Sequence, residues 1–311
     1  MYRGKERIQM DTFEKAKRFM YRSARPVELA RWQFHFENGS KENVVKALSA
    51  FQNEDGGFGH GLEADSFNPH SSPITTWNAC CILKEIEWED ASHPIVQGIL
   101  RYLESGRDYS EAHRQWMNTI PSNNDYPHAV WWGFNGESDY KYNPTAMLCG
   151  FVLRYAQPDE PLYEKAVRIA KEAVEWFMEK VPNVDRHETA CFVTLYEYMQ
   201  EKKTELVDMG AFAQMLKQQV NANITRDTEK WETEYVDKPS GFFIVPGSMF
   251  YEDNREIAEF ECDFIRKTQL EDGSFSVNWQ WWNEYKEFEA ARMIWKGVIT
   301  LENMRYIKAY E

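Results

Sequence analysis

Four segments concentrate the side chains able to move protons or grip a ligand. Residues 56–72 carry His60, Glu63, Asp65 and His70, and residues 121–143 carry Asp125, His128, Trp131, Trp132 and Asp139. Residues 181–186 add Asp185, with His187 and Glu188 just inside the next helix, and residues 273–284 add Trp279, Trp281, Trp282 and Glu284. Two carboxyl groups beside indole rings suit glycoside chemistry, where a general acid and a base or nucleophile flank the scissile bond. In that reading Glu63 or Asp65 supplies one carboxyl and Asp139, Glu188 or Glu284 the other. An aromatic cavity equally suits an isoprenoid-like molecule, whose cationic intermediates ring faces attract. The catalytic candidates are Glu63, Asp65 and His128. The ligand-contacting candidates are His60, His70, Trp131, Trp132, Asp139, Trp281, Trp282 and Glu284. His60, Glu63, Asp65 and His70 are also metal-ligand types, but their spacing matches no zinc motif, so no metal is expected. The sequence names no cofactor.

Each candidate has a purely structural reading. Glu63 and Asp65 can cap the turn before Pro73. His60 and His70 can be ordinary surface histidines. The Trp pairs 131–132 and 281–282 can be packing, although adjacent residues cannot both face one core. Trp77, inside an apolar run, reads as core, and so do the five cysteines.

The elements that must position these groups are helices. In 161–178, Leu162, Ala166, Ile169, Ala170, Ala173 and Phe177 form one stripe, and 93–104 and 205–219 repeat the pattern. Other segments are apolar nearly all round: 73–86, 144–156 and 187–199. A helix without a polar face is expected to be buried. Buried and amphipathic segments alternate along the chain, as a double layer of antiparallel helices requires, whether closed as a ring of inner and outer helices or stacked as a solenoid of helix pairs. Loops leading into parallel inner helices would share one rim, and the four segments above are such loops. No linker divides the sequence, so the reading is one domain over 1–311.

Residues 52–58 (Gln-Asn-Glu-Asp-Gly-Gly-Phe) and 269–275 (Gln-Leu-Glu-Asp-Gly-Ser-Phe) agree at five of seven positions. Each follows a helix, 42–51 and 254–268. Gly56 and Gly273 suit a left-handed helix stop, Asp55 and Asp272 suit the turn, and Phe58 and Phe275 can return to the core.

This repeat resembles the glutamine–aspartate–glycine–aromatic motif of the terpenoid cyclase and protein prenyltransferase superfamily. The stretch from Asp55 to Asp65, running into Ser71-Ser72-Pro73, also looks like a group of bacterial proteins related to it. The resemblance implies an all-α chain folded as an (α/α)6 toroid of inner and outer helices. It further implies an apolar or isoprenoid-like small molecule in a central cavity, with Asp65 as a possible proton donor. The superfamily's reaction motifs are missing: Asp-x-Asp-Asp, Asp-Asp-x-x-Asp and the thioester Cys-Gly-Glu-Gln do not occur. Cys262-Asp263 lies inside an amphipathic segment and marks no zinc site. A carbohydrate-active enzyme and a non-catalytic scaffold therefore stand beside the isoprenoid reading.

Composition narrows the partners. The 311 residues carry 36 Lys+Arg against 50 Asp+Glu, a net charge of −14, which disfavours nucleic acid and anionic membranes. No run approaches the roughly 18 apolar residues of a membrane helix. The start Met1-Tyr2-Arg3-Gly4-Lys5-Glu6-Arg7 lacks a signal peptide's apolar stretch, and five cysteines without a C-x-x-C pair fit a reducing compartment, so the expected home is the cytoplasm. No Gly-x-Ser-x-Gly elbow occurs. The glycines of 56–61 follow a helix instead of a strand and make no dinucleotide loop.

Overall fold

The computed structural model describes residues 2–138 and 141–311, with side chains from Thr12 onward. The described residues are mainly helical: α1 (Tyr2–Ser23), α2 (Pro26–Phe36), α3 (Lys41–Leu48), α4 (Pro73–Glu85), α5 (Pro94–Glu104), α6 (Thr145–Tyr155), α7 (Pro161–Lys180), α8 (Arg186–Lys202), α9 (Met209–Asn223), α10 (Tyr251–Thr268) and α11 (Phe288–Ala309). The sheet among the described residues is one antiparallel ribbon, β1 (Tyr109–Ser110) with β2 (Gln115–Trp116). The chain forms two compact units, Leu48–Asn223 and the pair of segments Met1–Ala47 and Ile224–Glu311.

In the Leu48–Asn223 unit the helices start where the sequence supplies caps. Ser72 accepts from Thr75 N at 3.1 Å and precedes Pro73, whose missing N–H costs nothing at a first helical position. His93 Nδ1 accepts from Ile95 N before Pro94, and Asp185 Oδ1 accepts from His187 N and Glu188 N. The amphipathic stripes bury as the periodicity predicts: Ile95, Val96, Ile99, Leu100 and Leu103 on α5, and Leu162, Ala166, Ile169, Ala170, Ala173 and Phe177 on α7.

Helices α4, α6 and α8 run parallel as one layer, and α5, α7 and α9 cover them as another. The direction of α6 against α8 is fixed at two levels. Cys191 Sγ meets Asn143 Oδ1 at their N-terminal ends, and farther along a Cβ on Gly150 would stand 2.7 Å from the Tyr198 ring. Gly150 weakens the α6 helix by about 1 kcal/mol relative to Ala, but lets the two helices approach. The covering helix α7 is antiparallel, since the ring of Phe177 near its end packs, tilted, 4.5 Å from Phe192 near the start of α8.

In the other unit α1, α2, α10 and α11 enclose a core of Ala16, Phe19, Met20, Trp32, Cys262, Ile265, Phe275, Leu301, Met304, Tyr306 and Ile307.

The repeated heptapeptide falls once in each unit, and its two copies fold alike. Gln52 Nε2 donates to Gly56 O (2.9 Å) and to Ile95 O on α5 (3.0 Å). Gln269 Nε2 donates to Gly273 O (3.0 Å) and to Thr12 O on α1 (2.9 Å). Asp55 Oδ1 accepts from Gly57 N, and Asp272 Oδ1 from Ser274 N. Gly56 and Gly273 have φ of +93° and +92°, and a Cβ there would lie 2.0 Å from Gly98 O and 2.1 Å from Lys15 O. Glycine is required twice over at each position, by conformation and by contact. Phe58 and Phe275 return to the core as expected.

Candidate functional site

Two of the four chemistry-bearing loops meet in the Leu48–Asn223 unit. Phe67 N donates to Pro127 O and Ala129 N donates to Asp65 O, both at 2.9 Å, so Ser66 and His128 pair as an antiparallel bridge. Asn68 fastens the junction, with Nδ2 donating to Ser122 Oγ (2.9 Å) and Asn123 Oδ1 (2.8 Å). Asn123 Nδ2 in turn donates to Trp132 O. A third loop joins through Glu188, whose Oε1 accepts from Tyr142 N at 2.9 Å. The loops before α4, α6 and α8 thus gather at the N-terminal ends of the three parallel helices.

Glu63 is the chemically distinctive group at this junction. It is 6% exposed. Its Oε2 accepts from Asn78 Nδ2 at 2.6 Å and its Oε1 from Asp65 N at 3.3 Å. Burial, reinforced by the negative charge of Asp65, pushes its carboxyl up to about 7. The buried Trp132 indole N–H faces Glu63, outside ordinary hydrogen-bond geometry, and favours the carboxylate. Asp65 is 3% exposed, and His128, half-buried, holds Nδ1 against Tyr126 O at 2.7 Å.

Glu63 Oε1 does cap its own turn, accepting from Asp65 N, while the N-terminus of α4 is capped by Ser72. His60 and His70 point to separate partners, Nε2 of His60 to Asn53 Oδ1 (2.8 Å) and Nε2 of His70 to Tyr126 Oη (3.3 Å). Both are exposed, and among the described residues no group of three or more His, Cys, Asp or Glu is placed to hold a metal. Trp131 is 39% exposed and Trp132 half-buried, so the two adjacent rings divide between solvent and protein. Asp139 lies outside the described residues. Trp281, Trp282 and Glu284 belong to the other unit. There Trp281 is core, 1% exposed against Phe288 and Tyr285, which corrects its expected ligand contact: its neighbours already cover the ring. Trp282 and Glu284 are exposed.

The apolar helices are less sealed than their composition predicts. On α4, Trp77, Asn78, Cys81 and Lys84 are half-exposed along one stripe, and on α8 so are Ala190, Thr194 and Glu197. Trp77 is therefore not a core residue. Lys84 Nζ bridges to Glu197 (3.1 Å) and Glu201 (3.2 Å), and Arg154 of α6 reaches Glu201 (3.0 Å). These charges close the C-terminal end of a face whose other end holds Asn78 and Glu63.

Glu188 is a second buried acid. Burial and the neighbouring Asp185 push it up to about 7. Its bond to Tyr142 N makes it an anchor for the loop before α6.

Asn78 is the site residue that the sequence reading misses. Its signal is present: a lone amide inside Trp77-Asn78-Ala79-Cys80-Cys81 needs a partner once that run is packed.

Comparison with protein-family models, with curated proteins and with solved structures yields no match for this chain. Among the described residues no helix is long and apolar enough to cross a membrane.

Proposed function

We propose that this chain is an acid–base enzyme of the (α/α) toroid type, with Glu63 as its proton donor. The observation that carries the reading is the Glu63 carboxyl, buried at the meeting of two loops, raised to about 7 and flanked by Asp65, Asn78 and the Trp132 N–H. An acid with a pKa near the working pH is the most effective proton donor. Glu63 gives its proton to the leaving oxygen of the ligand as its C–O bond breaks, the Trp132 N–H hydrogen-bonds an oxygen beside it, Asp65 stabilises the positive charge left on that carbon, and a solvent water adds there, its proton passing to solvent and Glu63 regaining its own.

The toroid itself is supported by the two heptapeptide turns. The turn before α4 grips α5, the helix that follows α4. The turn before α11 grips α1, so α1 stands to α11 as α5 stands to α4. A helix succession that closes on its own first member is what a ring requires.

The ligand is a carbohydrate in this reading. Asn78, Lys84 and Glu197 make the half-exposed face polar, and their remaining donor and acceptor capacity suits a hydroxyl-bearing ligand better than an isoprenoid. A second reading, an isoprenoid-like ligand, is favoured by the rings of Trp77, Trp131 and Trp132, whose faces stabilise cations. The test is turnover of 4-methylumbelliferyl pyranosides and, separately, of farnesyl diphosphate, from pH 5 to 9. A sugar substrate whose turnover falls as pH rises through about 7, and is lost in Glu63→Gln, supports the first reading. Turnover of the diphosphate alone supports the second. Turnover that Glu63→Gln leaves unchanged removes Glu63 from the chemistry.

A further inference from the structure

Trp282 combines two unfavourable features. Its φ is +58°, a left-handed conformation that costs a bulky side chain roughly 1–2 kcal/mol. Its ring is 70% exposed, the most exposed large hydrophobic side chain among the described residues, where it has no ring partner or hydrogen bond. Neither feature serves packing. Strain retained at an exposed aromatic residue marks a ring presented for contact.

The base beneath it is firm. Trp281 is sunk into the core against Phe288 at 6.0 Å. Trp279 is wedged edge-on between Tyr235 (5.6 Å) and Trp295 (5.1 Å). Asn283 Oδ1 accepts from Tyr285 N at 3.2 Å, fixing the chain just after Trp282. The segment Asn278-Trp279-Gln280-Trp281-Trp282-Asn283-Glu284-Tyr285 thus alternates flat rings with amides and a carboxylate.

We propose that residues 278–285 form a carbohydrate-binding platform, with Trp282 as its stacking ring. The flat indole face matches the C–H face of a pyranose, and exposed Gln280 and Glu284 match its hydroxyl rim. The surrounding charge selects against other partners. Glu284, Glu287 and Glu289 are exposed here against Lys286 and Arg292, with Arg292 paired to Glu289; the segment thus carries no basic cluster of the kind that binds nucleic acid or anionic bilayers. This platform goes beyond the Glu63 reading and holds whether or not Glu63 does chemistry.

The test is affinity electrophoresis and titration calorimetry of the full chain against cellohexaose, maltohexaose, laminarihexaose and chitohexaose. The comparison variants are Trp282→Ala, Trp282→Phe and Trp282→Gly. The expected result is binding to at least one oligosaccharide, weakened tenfold or more in Trp282→Ala and largely retained in Trp282→Phe. Trp282→Gly loses binding without a fall in Tm, because glycine relaxes the strained backbone. Glu63→Gln binds as well as the parent chain, which separates this proposal from the catalytic one. No binding to any of the four sugars overturns it, and so does equal binding by Trp282→Ala. Association of the parent chain, but not Trp282→Ala, with phosphatidylcholine vesicles in place of sugars reassigns the ring to a membrane surface and also overturns it.

Discussion

Asn78 Nδ2 lies 2.6 Å from Glu63 Oε2, so a helix residue holds the acid that a loop residue contributes. The bond favours the carboxylate, as does the Trp132 N–H. Burial and the charge of Asp65 oppose them and win, leaving Glu63 near 7. An acid balanced in this way is sensitive to each neighbour.

Glu63 makes stability depend on pH in a direction opposite to that of most carboxylates. Its pKa is about 7 in the folded chain against 4.5 for the ordinary side chain. Below pH 4.5 both states carry the proton. Between 4.5 and 7 the unfolded chain ionises first, so the folded state loses about 3 kcal/mol as pH rises. Above 7 the loss is complete. Glu63→Gln removes this component. Urea denaturation at pH 4.5 and pH 8 should show the variant losing about 3 kcal/mol less than the parent across that interval. Equal losses in the two proteins contradict the raised pKa.

Asp65→Asn tests the charge contribution alone. Removing the negative charge beside Glu63 lowers the Glu63 pKa toward its ordinary value. A 13C carboxyl titration of selectively labelled protein reads this directly. An unmoved Glu63 resonance midpoint means that burial acts without help from Asp65.

The two heptapeptide glycines should behave as equivalents. Gly56→Ala and Gly273→Ala each force a Cβ to within about 2 Å of a carbonyl oxygen at φ above +90°. Each should destabilise its unit by about 2–4 kcal/mol in urea denaturation. Loss at one position and not the other means that the two turns are not the same device.

Gln52→Ala and Gln269→Ala each delete two hydrogen bonds to backbone carbonyls, one local and one on another helix. The expected cost is about 1–3 kcal/mol each. Amide hydrogen exchange should quicken in the adjoining turns, at Gly56–Gly57 and Gly273–Ser274. Unchanged exchange at these amides refutes the tie.

The sequence carries much of the helical layout in particular residues. The α5 and α7 stripes bury as periodicity predicts, and Ser72-Pro73 and Asp185 start α4 and α8 where capping chemistry places them. The joining of segments 56–72 and 121–143 follows from the parallel course of α4 and α6. Periodicity could not distinguish a sealed helix from one lining an open face, because Trp77 and Cys81 are apolar in either setting. Nor could it separate His60 from His70. The chain turns at positive φ through His60 and Gly61, and each imidazole then meets a different partner. Loop geometry of that kind depends on backbone hydrogen bonds that residue types alone do not encode.

The Gln269 bond to Thr12 spans 257 residues, whereas the Gln52 bond to Ile95 spans 43. On a ribosome adding roughly 5–20 residues per second, the second separation is crossed in several seconds and the first in about 13–50 s. The inner stretch from Gln52 to Asn223 can therefore close its clip while synthesis continues. Helix α1 waits longer: Trp32 and Phe36 of α2 can cover Phe13 early, but the α10 and α11 side of its core, with Cys262, Ile265, Leu301 and Met304, arrives only with the Gln269 clip. The two copies of one turn thus close on very different timescales, a short-range clip in one unit and a long-range clip in the other.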